Sequence, residues 1–260
     1  MEACVYYNGK CMLCNLVTPR TLEWLRNGRP ARILHLFDEV CNLVNDEDEV
    51  ISLVSAQVGA GPFALVLDGA FTAGLNVRQP IAIDHARGTL TIGSLIVDFA
   101  ETAVWQPRPD WAQLQRVDWT AWPAPAALPA QIAHYLQQVV MGIMDDDTAV
   151  CLCGVRGLAG RGGGLTPTGD DVLLGVLYGL WVWQPRRHWL EMMVETAVPL
   201  TTTLSAAFLR AAAAGEAVWQ WHELVNGRAD AVEQILAIGH SSGSDAWAGF
   251  VYTGKQFCYE

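Results

Sequence analysis

Two segments of this chain share one pattern, and that pattern limits what the chain around them can be. Thr168-Gly169-Asp170-Asp171-Val172-Leu173-Leu174-Gly175 aligns without a gap on Ser242-Gly243-Ser244-Asp245-Ala246-Trp247-Ala248-Gly249. Both read hydroxyl-Gly-x-Asp-x-x-x-Gly. The first follows Gly162-Gly163-Gly164-Leu165-Thr166-Pro167 and runs straight into the apolar stretch 172–183. Glycines, hydroxyls, acids and then an apolar run read as a loop that opens a helix. Such a start exposes unpaired N–H groups and the positive end of a dipole, which suits an anion. A fold that holds both segments places two helix starts in one helical region, where they can face each other across a bundle.

The rest of the chain changes character once. Short apolar or alternating runs at 32–37, 50–54, 63–67 and 95–99 are bounded by turn residues such as Gly59-Ala60-Gly61-Pro62, Asp68-Gly69 and Arg87-Gly88. One helix interrupts them, with Thr18 as N-cap, Pro19 at the first helical position and Gly28 as its stop. Later segments, at 131–144, 172–183, 189–197, 204–214, 218–225 and 229–238, read as helices, several with the apolar spacing of a helix face. Between the two halves, Pro107, Pro109, Pro123, Pro125 and Pro129 alternate with Trp105, Trp111, Trp119 and Trp122. Proline removes backbone donors, so this stretch is not regular structure. Its tryptophans argue for a packed connection rather than a free linker. The fold class is α+β: a β-rich sandwich or barrel over residues 1–125, then a helical bundle over 126–260, with the Pro/Trp-rich connection at 105–129.

Composition excludes several kinds of partner. The chain is 52% hydrophobic and only 17% charged, so part of its surface is expected to be buried against another chain. Its 27 acids against 16 bases leave a net charge of −11, which argues against nucleic acid and anionic membrane as partners. A small anionic substrate would need local positive groups. No apolar run reaches the roughly 18 residues of a membrane span, and the N-terminus does not read as a targeting segment. The expected location is the cytoplasm, where the seven cysteines stay reduced. Cys4, Cys11 and Cys14 have spacing that zinc could use, with Cys41 or His35 as a fourth ligand, but no second C-x2-C supports it. Cys151 and Cys153 alternate in an apolar run and read as strand or core.

The chemistry-bearing residues gather around the two helix starts. Asp170, Asp171 and Asp245 could each cap a helix, since Thr168-x-x-Asp171 and Ser242-x-x-Asp245 resemble capping boxes. Their shared spacing argues for a joint role: holding a divalent cation, orienting a substrate amide, or acting as base. Two adjacent acids repel unless a cation or proton sits between them. Gly162, Gly163, Gly164 and Gly169 let backbone approach a ligand, and Thr166 and Thr168 add hydroxyls. The loop is neither a Walker loop nor a dinucleotide fingerprint. Arg156 and Arg161 flank it and could pair with a carboxylate or phosphate. His240, Ser241, Ser242 and Gly243 precede Asp245, an order that invites a serine nucleophile, but there is no G-x-S-x-G, and substrate hydrogen bonding suits them better. Thr202 and Ser205 share a helix face and could bind substrate or cap.

Three motifs in order, Gly162-x-Gly164-Leu165-Thr166-Pro167-Thr168-Gly169-Asp170-Asp171, Thr202-x-x-Ser205-x-x-x-Leu209-x-x-Ala212 and Gly239-His240-Ser241-Ser242-Gly243-x-Asp245-x-x-x-Gly249, resemble the AllH-type family, the small subunit of oxamate carbamoyltransferase. The resemblance covers roughly residues 155 to 252 and runs more weakly through Gly59-x-Gly61-Pro62. It implies phosphorolysis of oxalurate to oxamate and carbamoyl phosphate in anaerobic allantoin use. It also implies an FdrA-like subunit and a third, larger subunit as partners, with oxalurate and phosphate as small anionic ligands. Under this reading Asp170, Asp171, His240 and Asp245 are catalytic. The glycines, Thr166, Thr168, Thr202, Ser205, Ser241 and Ser242 bind substrate. No residue is assigned to a metal; a divalent cation between the acids is the one cofactor candidate. Two other readings stay open: a metal-dependent hydrolase of a small amide or glycosidic bond, and a non-catalytic assembly subunit.

Overall fold

The computed structural model describes residues 10–117, 122–183 and 186–258. Cys4, Trp119 and Pro185 lie outside them. The chain divides into two compact units between Pro107 and Arg108.

The first unit is a nearly closed β barrel. Its strands are β1 (Lys10–Val17), β2 (Ala31–Leu36), β3 (Val40–Asn45), β4 (Val50–Ser55), β5 (Ala64–Leu67), β6 (Ile81–Asp84), β7 (Thr89–Ile92), β8 (Leu95–Asp98) and β9 (Ala103–Val104). The order across the sheet is β2-β3-β4-β5-β1-β8-β7-β6, with β9 joined to β1. β1 is the seam: it pairs antiparallel with β5 and parallel with β8 and β9. The expected helix is present as α1 (Pro19–Asn27). The Thr18 side chain accepts from the Thr21 N–H, and Gly28 takes the left-handed conformation at φ 59°.

β1 also corrects the zinc reading. A spacing of three on a strand sends two side chains to opposite faces. Cys11 is exposed and Cys14 buried. Cys41 is buried in β3, and burial pushes the thiols of Cys14 and Cys41 up to about 11 and about 12, so neither is a ready thiolate ligand. Among the described residues no three His, Cys, Asp or Glu side chains gather closely enough to hold a metal ion.

The second unit is helical: α2 (Ala130–Met144), α3 (Thr148–Leu158), α4 (Thr168–Trp183), α5 (Arg187–Ala197), α6 (Thr203–Ala213), α7 (Trp219–Val225), α8 (Ala231–Leu236) and α9 (Ser242–Phe257). Cys151 and Cys153 lie on α3, not on a strand; only Cys151 is core. The Asp147 carboxylate accepts from the Val150 N–H to start this helix, and Gly154 lets it press against α2, where a Cβ would meet Tyr135 O and Val139 N at 2.7 Å. The glycine and the apolar alternation hide a helix that is built for close packing.

α4 is apolar nearly all round and almost wholly buried, as a central helix must be. Aromatic rings fill the space beside it. Trp111 stacks on Tyr178 at 5.0 Å, Tyr178 meets Trp221 at 4.9 Å, and Trp221 meets Phe250 at 5.0 Å. The Trp111 and Trp247 indole N–H groups donate to Gly215 O and Pro123 O, so their polar edges are not stranded in the core. Trp122 packs on Trp247 and Phe250. The Pro/Trp-rich stretch thus contributes core side chains to the helical unit.

α4 and α9 meet at their glycines. A Cβ on Gly175 would fall on the Ala246 carbonyl oxygen, and one on Gly249 would fall on that of Val172. These contacts are reciprocal, because Gly175 and Gly249, and Val172 and Ala246, hold equivalent places in the repeated pattern. Backbone cannot step aside as a side chain can. Gly249→Ala should therefore destabilise the protein by about 3 kcal/mol or more in denaturant unfolding. Gly163→Ala, at a position where a Cβ meets nothing within 4 Å, should stay within about 0.5 kcal/mol of the parent. Matching stabilities would refute the close approach.

Candidate functional site

The two repeated segments build their helix starts in the same way. α3 ends at Leu158, whose carbonyl accepts from the Arg161 N–H; the Arg161 carbonyl then accepts from the Gly169 N–H. α8 does the same five helices later: Ile235 O accepts from Ile238 N–H, and Ile238 O from Gly243 N–H. A Cβ on Gly169 would fall on Leu158 O, and one on Gly243 on Ile235 O. The glycine at the second helical position is therefore needed for space. Its N–H is already spent on a carbonyl, so these starts present fewer free donors to an anion than their sequence suggests.

The starts lie side by side, with Thr166 Oγ1 and Ser242 Oγ 2.8 Å apart. Their acids meet hydroxyls of both starts. Asp171 of α4 is flanked by the hydroxyls of Ser242 from the other start and Thr166 from its own, and Asp245 of α9 by those of Thr168 from the other start and Ser241 from its own. This overturns the capping-box reading. Thr168 and Ser242 lie inside the first turn, each beside the other helix's acid, and Ser241 at the N-cap makes no side-chain cap bond. One carboxylate oxygen on each acid, Oδ2 of Asp171 and of Asp245, is buried with no hydrogen-bond partner.

Asp170 has a different fate. Its oxygens accept from the Gly160 N–H at 2.8 Å and from the Thr201 hydroxyl. The Thr202 hydroxyl donates to Leu165 O at 2.6 Å while accepting from the Ser205 N–H at 3.1 Å as the N-cap of α6, and Ser205 Oγ donates to the same carbonyl at 3.4 Å. Asp170, Thr202 and Ser205 thus pin the glycine loop. Gly162, at φ 126°, takes a conformation closed to other residues in practice, and a Cβ there would meet Thr168 N at 2.7 Å. Gly163 and Gly164 are exposed. Arg161 stays within its own hairpin: it donates to Gly157 O and Gln131 Oε1 and lies 5.2 Å over the Tyr135 ring.

Beside the crossed acids is a pocket of about 200 Å³. Thr166, Asp171, Ser242 and Gly243 form its polar end. Leu174, Tyr178, Phe208, Trp221, Ile238 and Ala246 supply most of its wall. Asp171 is only 6% exposed. Burial pushes its carboxyl up to about 7, and the negative neighbours Asp245 and Asp170 add to the rise, against hydroxyl bonds that pull it down. Burial also raises the carboxyls of Asp170 and Asp245.

Of the residues singled out from sequence, Thr166, Asp171, Ser242 and Gly243 line the pocket, and Thr168 and Asp245 stand directly behind them. His240 and Ser241 are exposed and outside the lining, although Ser241 bonds Asp245. Tyr178, Phe208 and Trp221 enter unannounced, because an aromatic on a helix reads as core. Thr201 had a signal: it belongs to a run of three threonines before a helix.

Comparison with known families locates this geometry. The sequence model of a family described as oxamate carbamoyltransferase subunit AllH matches residues 158–253, and that of the AllH family N-terminal domain matches residues 12–104. The first span begins at the last residue of α3 and holds both helix starts and every pocket-lining residue; the second is the barrel. No solved structure matches.

The raised Asp171 carboxyl makes a stability prediction. The folded protein prefers the protonated acid, with a value of about 7 against 3.8 ordinarily. Its penalty on folding is absent below about pH 4, grows as pH rises, and is complete above about pH 7. Asp171→Asn removes it. In thermal melts the variant should match the parent near pH 4 and melt higher at pH 8, by at least about 3 °C. An ordinary capping acid would give no pH-dependent gain.

Proposed function

This chain belongs to the AllH family of oxamate carbamoyltransferase subunits, and we propose that its pocket holds the carbamoyl group that is transferred. The observation that carries the reading is Asp171: a buried acid with one unpartnered oxygen, at the polar end of a small apolar pocket, crossed with a second acid. In phosphorolysis of oxalurate, a phosphate oxygen attacks the carbamoyl carbon. The C–N bond to the oxamate nitrogen breaks, and that nitrogen takes up a proton. Asp171, titrating near neutrality, can accept a ureido N–H when ionised and supply a proton when neutral. The hydroxyls of Ser242 and Thr166 stand beside it, where they can hydrogen-bond the carbamoyl oxygen as charge develops. Asp245 holds the second helix start in register through Thr168. Asp170 positions the glycine loop instead of touching substrate. His240 neighbours the lining residue Gly239, from which it can exchange protons with solvent.

A subunit works with others. An FdrA-like chain and a third, larger chain are the partners we assign, in a cytoplasmic complex serving allantoin and purine degradation. The test is the reconstituted complex, assayed for carbamoyl phosphate from oxalurate and phosphate. Asp171→Asn should lower turnover by about 100-fold or more with the complex intact. If Asp171 is the proton donor, parental turnover should fall above about pH 7, and the variant should lose that limb. Full activity of the variant would leave Asp171 a structural residue and point to a purely assembling role for the chain.

A further inference from the structure

The pocket has a property that its substrate makes conspicuous: its lining contains no Lys, Arg or His among the described residues. Oxalurate carries a carboxylate, phosphate carries one or two charges, and both would have to approach a wall of aromatic and aliphatic side chains whose one ionisable acid is itself negative when ionised. An anion enters such a place only against desolvation and like-charge repulsion. The helix starts compensate less than their sequence suggests, because the N–H groups of Gly169 and Gly243 are already bonded to carbonyls. The loop arginine does not either: Arg161 is held by Gly157 O and Gln131 and lies over Tyr135. Arg108 and Arg187 line a separate cavity beside Trp181, and Arg228 is paired with Glu223 and Asp230.

A neutral urea-like group meets the opposite conditions. It is flat and small enough for about 200 Å³. Its N–H groups can donate to the Asp171 carboxylate, which lines the pocket, and its carbonyl can accept from a hydroxyl of the Thr166–Ser242 pair. Resting on the function proposed above, we infer that this pocket takes only the uncharged carbamoyl end of the substrate, and that a partner subunit supplies the Lys or Arg side chains that hold the carboxylate and the phosphate. The site is then completed at the junction of two chains. This accounts for an acidic subunit, at −11 net charge, taking part in a reaction between two anions.

The full-length chain, alone and in the reconstituted complex, provides the test. Methylurea is the neutral probe; inorganic phosphate and oxamate are the anionic ones. With the chain alone, methylurea should shift the Trp221 indole resonance saturably. Asp171→Leu, which removes both acceptor oxygens, should weaken that binding about tenfold or more. Should that variant fail to fold, Ser242→Ala serves, with a smaller loss expected. Phosphate and oxamate should leave the Trp221 signal of the isolated chain unmoved at concentrations that saturate the complex. In the complex, phosphate binding should weaken steeply with salt. Binding of phosphate or oxamate at Trp221 by the isolated chain, as tightly as by the complex, would overturn the inference, as would failure of methylurea to bind. These outcomes are separable from the reaction. A complex that makes carbamoyl phosphate while its isolated subunit binds phosphate keeps the function and loses the inference. Methylurea binding by a chain whose complex makes no carbamoyl phosphate keeps the neutral pocket and removes the reaction.

Discussion

The close approach of α4 and α9 at Gly175 and Gly249 is the contact on which the rest of the helical unit depends. With a side chain at either position the two backbones would have to separate. Separation would draw Ser242 away from Asp171 and Thr168 away from Asp245, and the Thr166–Ser242 hydrogen bond between the starts would open. The same reciprocity runs along both helices. Gly179 of α4 packs on Thr253 of α9, at equivalent places in the repeat, as expected on the axis of a local two-fold. Two helix-loop-helix pieces, α3 to α4 and α8 to α9, are thus assembled face to face by one packing rule applied twice.

That arrangement places carboxylates where stability alone would not. Asp171 and Asp245 each leave a buried oxygen unbonded, and burial raises both carboxyls, that of Asp171 to about 7 with Asp245 adding to the rise. An apolar pair of the same size would avoid both penalties. The aromatic chain from Trp111 through Tyr178 and Trp221 to Phe250 supplies burial that offsets them. Tyr178 and Trp221 of that chain also line the pocket, so two of the residues that stabilise the unit shape the cavity beside the acid. Support and site are one construction.

Much of this was legible in the sequence because it depends on local rules. The strand runs at 50–54 and 63–67, the capped helix after Thr18 and the six helices read from apolar runs correspond to elements in the structure. β1 escaped notice because its cysteines invited a ligand reading, although Met12 and Cys14 alternate inward against Leu13, which is 65% exposed. α3 escaped because Gly154 and Gly157 look like helix breakers until the neighbouring α2 is in place. The helix starts at Thr168 and Ser242 were visible as a pattern. The crossing of their bonds was not, since Ser-x-x-Asp within one segment has the spacing of a cap and nothing local says that the hydroxyl serves a different helix. Asp170 and Asp171 are neighbours of identical type, and only the third dimension gives one to the loop and the other to the pocket. Trp221 and Phe208 reach the pocket from α7 and α6, with no mark in their own segments.

The departures from the repeat explain why the acids are not interchangeable. Asp170 corresponds to Ser244, Leu174 to Ala248, and Arg161 to Ile238. Ile238 lines the pocket, whereas its counterpart Arg161 lies over Tyr135 and is bound into the α2–α3 hairpin. The loop before α4 is also longer than the loop before α9, and Asp170, Thr201, Thr202 and Ser205 pin it down. One side of the local two-fold is therefore closed by a long, tethered loop, and the other has a short loop with an apolar residue beside the cavity. Asp171 faces that cavity and Asp245 does not line it. A symmetric pair of acids would present the same chemistry twice. Breaking the repeat at these positions leaves Asp171 as the acid that lines the cavity and Asp245 as the neighbour that helps to raise its carboxyl.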